Sequence, residues 1–232
     1  MKIEHVDIED VDRQASEHFF GAVARAYDLH EMDALDAFAR NGQLTVSHYA
    51  PWVKSVSCWE LCNEHRAALE AIPGVTEVDI GCAYMTSDFE RYVGGKKYDL
   101  VVIDSPMGFH TDVQGRVMCE HFNFLEESTE HLLKDRALVV LYVNKMPYDP
   151  SVTGHHGRDS YEHFDFNGWM TRRYDFYGSE YVGEADALAK YDNVFLNMGR
   201  EVKSVLIWPC PQGQPGFPPA FRLVLEVVKI GS

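Results

Sequence analysis

The chain has 232 residues, 46% of them hydrophobic, and 36 acidic against 21 basic side chains give a formal net charge of -15. That length builds one core without a second domain, and no apolar run approaches the ~18 residues that a membrane-spanning helix needs. So acidic a surface repels polyphosphate at long range, which disfavours naked nucleic acid and leaves a small or non-polyanionic molecule as the favoured partner. Glu4, Asp7, Glu9 and Asp10 stand where a secretory signal would be basic and then apolar. The cysteines number five, with no CxxC pair. Reduced thiols in a cytoplasmic protein are therefore expected, with Cys58 and Cys62 as buried packing residues.

In chain order, residues 7–27 place Ile8, Val11, Ala15, Phe19, Val23 and Ala26 at helical spacing, which predicts an amphipathic helix against one sheet face. A weak strand over 32–38 ends at the Arg40-Asn41-Gly42 turn. A short helix over 44–49 is stopped by Pro51, and 53–59 is strand-like. The helix 64–72 closes at Pro73-Gly74 before a strand over 76–80. A helix over 88–93 leads to the clearest strand, 99–103, whose Leu100-Val101-Val102-Ile103 run is apolar on both faces, as in a central parallel strand. A helix over 120–133 and a Val- and Leu-rich strand over 137–143 continue the alternation, which predicts βαβ units. Strands over 203–208 and 221–229 are joined by a Pro- and Gly-rich link too short for a helical crossover, so they pair antiparallel.

LDAFARNG (35–42), SCWE (57–60), IGCA (80–83) and YDLVVIDSP (98–106) follow one another at the carboxyl ends of successive predicted strands. In an open α/β sheet this rim is where ligands bind. The order and spacing of these segments resemble class I S-adenosylmethionine-dependent methyltransferases. The resemblance implies a single-domain α/β fold over 1–232. Its form would be a Rossmann-like three-layer sandwich, with a mostly parallel seven-stranded sheet and a C-terminal antiparallel hairpin.

It also implies S-adenosylmethionine as cofactor. LDAFARNG is similar to the LDxFAGxG form of base methyltransferases, with Asp36 at the acidic position, Phe38 within the motif and Gly42 as its last glycine. Arg40 replaces the middle glycine, where it would either fill the methionine pocket or swing out to pair with the cofactor carboxylate. Glu60 falls at the position whose carboxylate accepts hydrogen bonds from both ribose hydroxyls. Cys82 stands where many members carry an adenine-contacting Asp, leaving the adenine to backbone amides and to Ala83.

Asp104 is implicated at both the cofactor and the acceptor. Asp104-Ser105-Pro106-Met107 is partly similar to the [DNS]PP[YFW] tetrad of base N-methyltransferases, with Pro106 in place and Phe109 the nearest substitute for the stacking ring. YDLVVID also resembles the strand of small-molecule O-methyltransferases that ends in an acidic or metal-binding Asp. Candidate bases are Asp104, His110 and His121.

Residues 146–181 exceed a minimal fold. Their many aromatics predict a lid over the acceptor, with His155 and Trp169 contacting it, or alternatively a homodimer contact. His155, His156 and Asp159 match no zinc signature, and no metal is expected. A base methyltransferase and a catalytically silent, methyltransferase-like assembly subunit are the alternatives.

Overall fold

The computed structural model describes residues 1–5, 16–43, 45–60, 62–80, 95–103, 109–111, 117–146, 166–210 and 219–231. Its strands are β1 (Lys2–His5), β2 (Asp33–Asp36), β3 (Ser55–Glu60), β4 (Val75–Ile80), β5 (Tyr98–Ile103), β6 (Phe109–Thr111), β7 (Val117–Cys119), β8 (Leu133–Asn144), β9 (Arg200–Cys210) and β10 (Ala220–Lys229). The helices are α1 (Ser16–Ala26), α2 (Val46–Tyr49), α3 (Arg66–Glu70), α4 (Glu120–Asn123), α5 (Thr129–Leu132), α6 (Phe166–Tyr177) and α7 (Glu184–Asn197).

Eight strands form one sheet in the order β1-β9-β10-β8-β5-β2-β3-β4, and β6 and β7 form a separate hairpin. Pairing is parallel throughout the large sheet except where β10 runs antiparallel to β8 and β9. β5 and β8, apolar on both faces, sit inside the sheet because each face is covered by helices. One face carries Leu35, Val101, Ile103, Val139 and Leu141 against α6 and α7; the other carries Ala34, Val56, Leu100, Val102 and Val140 against α1, α2 and α3. The result is a three-layer α/β/α sandwich.

From β2 the chain moves outward to β3 and β4, then returns to β5 on the other flank of β2. Strand order therefore reverses between β2 and β5, and the crevice lies beyond their carboxyl ends. The weak first strand does form, as the four-residue β2, held by parallel pairing to both β3 and β5.

Four differences from the sequence expectation have physical causes. The sheet gains an eighth strand, β1, at its edge. β1 is exposed along its whole length, so it has no hydrophobic alternation and is held by parallel pairing to β9. Helix α7 was not anticipated, although Ala187, Leu188, Tyr191, Val194 and Phe195 repeat at helical spacing and are all buried. The expected 120–133 helix is α4 and α5 joined through a π-helical turn, Phe124–Ser128. The expected loop over 146–181 is helix over Phe166–Tyr177, because Trp169 and Phe176 are buried in the core. Residues 88–93 and 147–165 lie outside the described residues.

Candidate functional site

Asp36 closes β2 and is 2% exposed. Its Oδ2 accepts hydrogen bonds from the Thr45 hydroxyl at 2.9 Å and the Tyr49 hydroxyl at 3.2 Å, while Phe38 N–H donates to Oδ1 at 3.3 Å. Burial, and then the Asp36 charge, push the Tyr49 phenol well above its ordinary value, so it stays protonated and donates. Asp36 thus anchors the β2–α2 loop from within. Phe38 packs edge-on to Phe124, with ring centroids 5.2 Å apart.

That loop is joined to both neighbouring strands. Ala37 N–H donates to the Val102 carbonyl of β5, and Ala39 N–H to the Trp59 carbonyl of β3, each at 3.1 Å. Arg40 is exposed and takes φ of 50°, the left-handed region that favours glycine. The backbone thus keeps the turn a glycine would give, with the arginine side chain turned to solvent rather than buried in the crevice. Gly42, at φ of 77°, has a separate reason: a Cβ there would come within 2.3 Å of Ile72 Cδ1 and 3.0 Å of Leu69 Cδ2. It lets the loop close onto α3.

Glu60 ends β3 on the crevice side and is 8% exposed. Its Oε2 accepts Arg40 N–H at 2.6 Å and its Oε1 accepts Cys62 N–H at 2.8 Å. Each oxygen carries a second lone pair, so a carboxylate held this way can still accept two hydroxyls. The same rim segment brings Glu60, Cys62 and His65 together, with one ligand atom from each within 4.8 Å of the others. Cys58 is buried as expected, and burial pushes its thiol far up. Cys62 is exposed, contrary to expectation, because it lies past the strand end, where the chain leaves the core.

The structure therefore brings Asp36, Phe38, Arg40, Gly42 and Glu60 to one rim. Cys82, Ala83, Asp104, Pro106 and His155 lie outside the described residues. Phe109 and His110 belong to β6 and His121 to α4. Trp169, on α6, is 1% exposed in the core between that helix and the sheet, so the ring expected at the acceptor packs inside the protein. Sequence reasoning missed Thr45, Tyr49 and His65; only the Glu-x-Cys-x-x-His spacing gave any signal for the last.

No protein-family model and no curated relative matches the chain. Among solved structures it is similar to NodS, an N-methyltransferase from Bradyrhizobium japonicum, at TM-score 0.56 and 9% identity, over 96% of this chain and 100% of that one. It is also similar to TYW2 from M. jannaschii, solved in complex with AdoMet, at TM-score 0.51 and 13% identity, over 94% and 77% of the two chains. The fold is that of the class I methyltransferases, with a mostly parallel sheet and an antiparallel C-terminal pair. No helix among the described residues is long and apolar enough to cross a membrane.

Proposed function

We propose that this chain is a methyltransferase that takes its methyl group from S-adenosylmethionine and passes it to a small-molecule acceptor. The observation that carries the reading is Glu60, a buried carboxylate ending the strand beside the topological switch point, with a lone pair left on each oxygen. A structural neighbour, TYW2, binds AdoMet on the same fold. When bound, the sulfonium supplies an already activated methyl group, so the protein's task is positioning.

Glu60 would accept the ribose hydroxyls, and the Asp36-anchored loop would line the methionine portion. Arg40, exposed at the loop's turn, would pair with the cofactor carboxylate. Asp104, one residue past β5, is proposed as the acceptor-side group, either taking the acceptor proton or polarising it through a divalent ion. His110 and His121 remain candidate bases, and Pro106, Phe109 and His155 candidate acceptor contacts. Cys82 and Ala83 would border the adenine. The net charge of -15 favours a small acceptor over a polyanion. For this chain a nucleic-acid base is the second acceptor class, on the likeness of LDAFARNG to the base methyltransferase motif.

Calorimetric titration with S-adenosylmethionine and S-adenosylhomocysteine tests the reading, and micromolar binding of either is the expected result. Glu60→Gln should weaken that binding by about 1–3 kcal/mol, the cost of unmatched buried hydroxyl partners. Absence of binding to a folded wild-type chain would leave a silent, methyltransferase-like assembly subunit. Unchanged affinity in Glu60→Gln would remove Glu60 from the site.

A further inference from the structure

The end of β3 and the rim segment after it contain a second donor set, of which the proposed methyl-transfer chemistry uses only Glu60. Glu60, Cys62 and His65 offer a carboxylate oxygen, a thiol sulfur and an imidazole nitrogen, all within 4.8 Å of one another. We propose that these three side chains form a mononuclear site for a divalent metal ion of the zinc class, and that an ion held there excludes the cofactor.

The backbone already sets the spacing. Cys62 N–H donates to Glu60 Oε1 at 2.8 Å, and His65 N–H donates to the Cys62 carbonyl at 3.1 Å. The donors lie on six consecutive residues, so an ion orders side chains and not distant pieces of chain. Around tetrahedral zinc the ligand atoms sit about 3.3–3.8 Å apart, as follows from metal–ligand distances of about 2.0–2.3 Å. The set contracts to that spacing by rotation of exposed Cys62 and half-buried His65.

Donor chemistry selects the ion. A thiolate with an imidazole and one carboxylate suits zinc and its borderline-soft neighbours, whereas magnesium and calcium require oxygen ligands. The thiol gives up its proton to the solvent on binding. Three protein ligands leave a fourth position for water, and the exposed thiol gives the ion a way in.

Exclusion of the cofactor rests on the reading of Glu60 given above. An ion on that carboxylate takes up an acceptor position and cancels the negative charge that strengthens its hydrogen bonds to hydroxyls. One carboxylate thus serves either the ion or the ribose.

Cobalt(II) added to the metal-free, reduced 232-residue chain tests the site through the thiolate-to-metal absorption in the near ultraviolet. One ion per chain is expected, displaced by zinc, with the absorption lost in Cys62→Ser and the affinity at least tenfold weaker in His65→Ala. No absorption, or absorption that survives in Cys62→Ser, overturns the site. S-adenosylhomocysteine titrated into metal-free and zinc-saturated protein tests the exclusion, and at least tenfold weaker binding with zinc is expected. Equal affinity overturns the exclusion and leaves the site. If the metal-free protein does not bind S-adenosylhomocysteine, the methyltransferase reading and the exclusion fall together, while the cobalt result still decides the site.

Discussion

Arg40 holds a backbone conformation that an L-residue enters at a cost of about 1–2 kcal/mol, and Glu60 fixes it there by accepting its amide hydrogen. Glycine removes that cost but loses about 0.5–1 kcal/mol through the freedom it gains in the unfolded chain. Arg40→Gly should therefore stabilise the fold by about 0.5–1 kcal/mol, read as a rise of a few degrees in melting temperature. A fall instead would mean that the guanidinium makes a contact worth more than the strain. The motif position was legible in LDAFARNG because a tight turn leaves few residue choices. That the arginine would keep the glycine's conformation, with its side chain in solvent, was not. That outcome depends on the Glu60 carboxylate, which lies 20 positions away in sequence.

At the scale of elements, strands were far easier to read than the helices around them. β5 and β8 show as uninterrupted apolar runs because both of their faces are covered. Helix α7 carries its apolar residues on one stripe, and that stripe closes the core on the face of the sheet opposite α1. Phe195 is fully buried there, while its neighbour Leu196 is 54% exposed. Phe195→Ala should cost about 3–5 kcal/mol in urea unfolding. Leu196→Ala should stay within about 0.5 kcal/mol. Equal effects would mean that α7 does not pack as described. Helix α6 was hidden for another reason: its sequence is polar overall, and its burial rests on Trp169, Arg173 and Phe176. The Arg173 guanidinium donates to the carbonyls of Asn144, Lys145, Ser179 and Glu180, tying α6 to the end of β8. No periodicity rule anticipates a buried cation that is satisfied by carbonyls.

For the whole molecule, charge sets the dependence of stability on pH. At pH 7 the net charge of -15 works against the compact state, and acidification toward the sequence pI of about 5.1 relieves that repulsion. Lower still, specific carboxylates oppose the trend. The Lys96 ammonium holds the Glu77 carboxyl below its usual range, and the Ser55 hydroxyl, with Lys134 and Lys54, does the same for Asp33. A carboxylate whose folded pKa is depressed contributes stability that is fully present above its unfolded pKa, near 4, and is lost as pH falls through the folded value. Melting temperature should therefore peak near pH 5 and fall on either side, steeply below about pH 4. A melting temperature that climbs steadily to pH 8 would show that self-repulsion does not govern this molecule.

The sequence by itself determined the strand–helix alternation, the chain positions of the four strands that run up to the rim, and the net negative charge. Each is local, being a matter of side-chain period, turn chemistry or summed charge. Only the tertiary structure decided that β1 adds an edge strand through backbone pairing alone and that Trp169 is a core residue. It also decided that Asp36 is taken up by Thr45 and Tyr49, and that Glu60 stands between Arg40, Cys62 and His65. Those outcomes depend on which partners a polar or aromatic group meets in space. Some of those partners, such as β9 for β1, are far away in the chain; others, such as Cys62 for Glu60, are near in sequence but meet only once the backbone has turned.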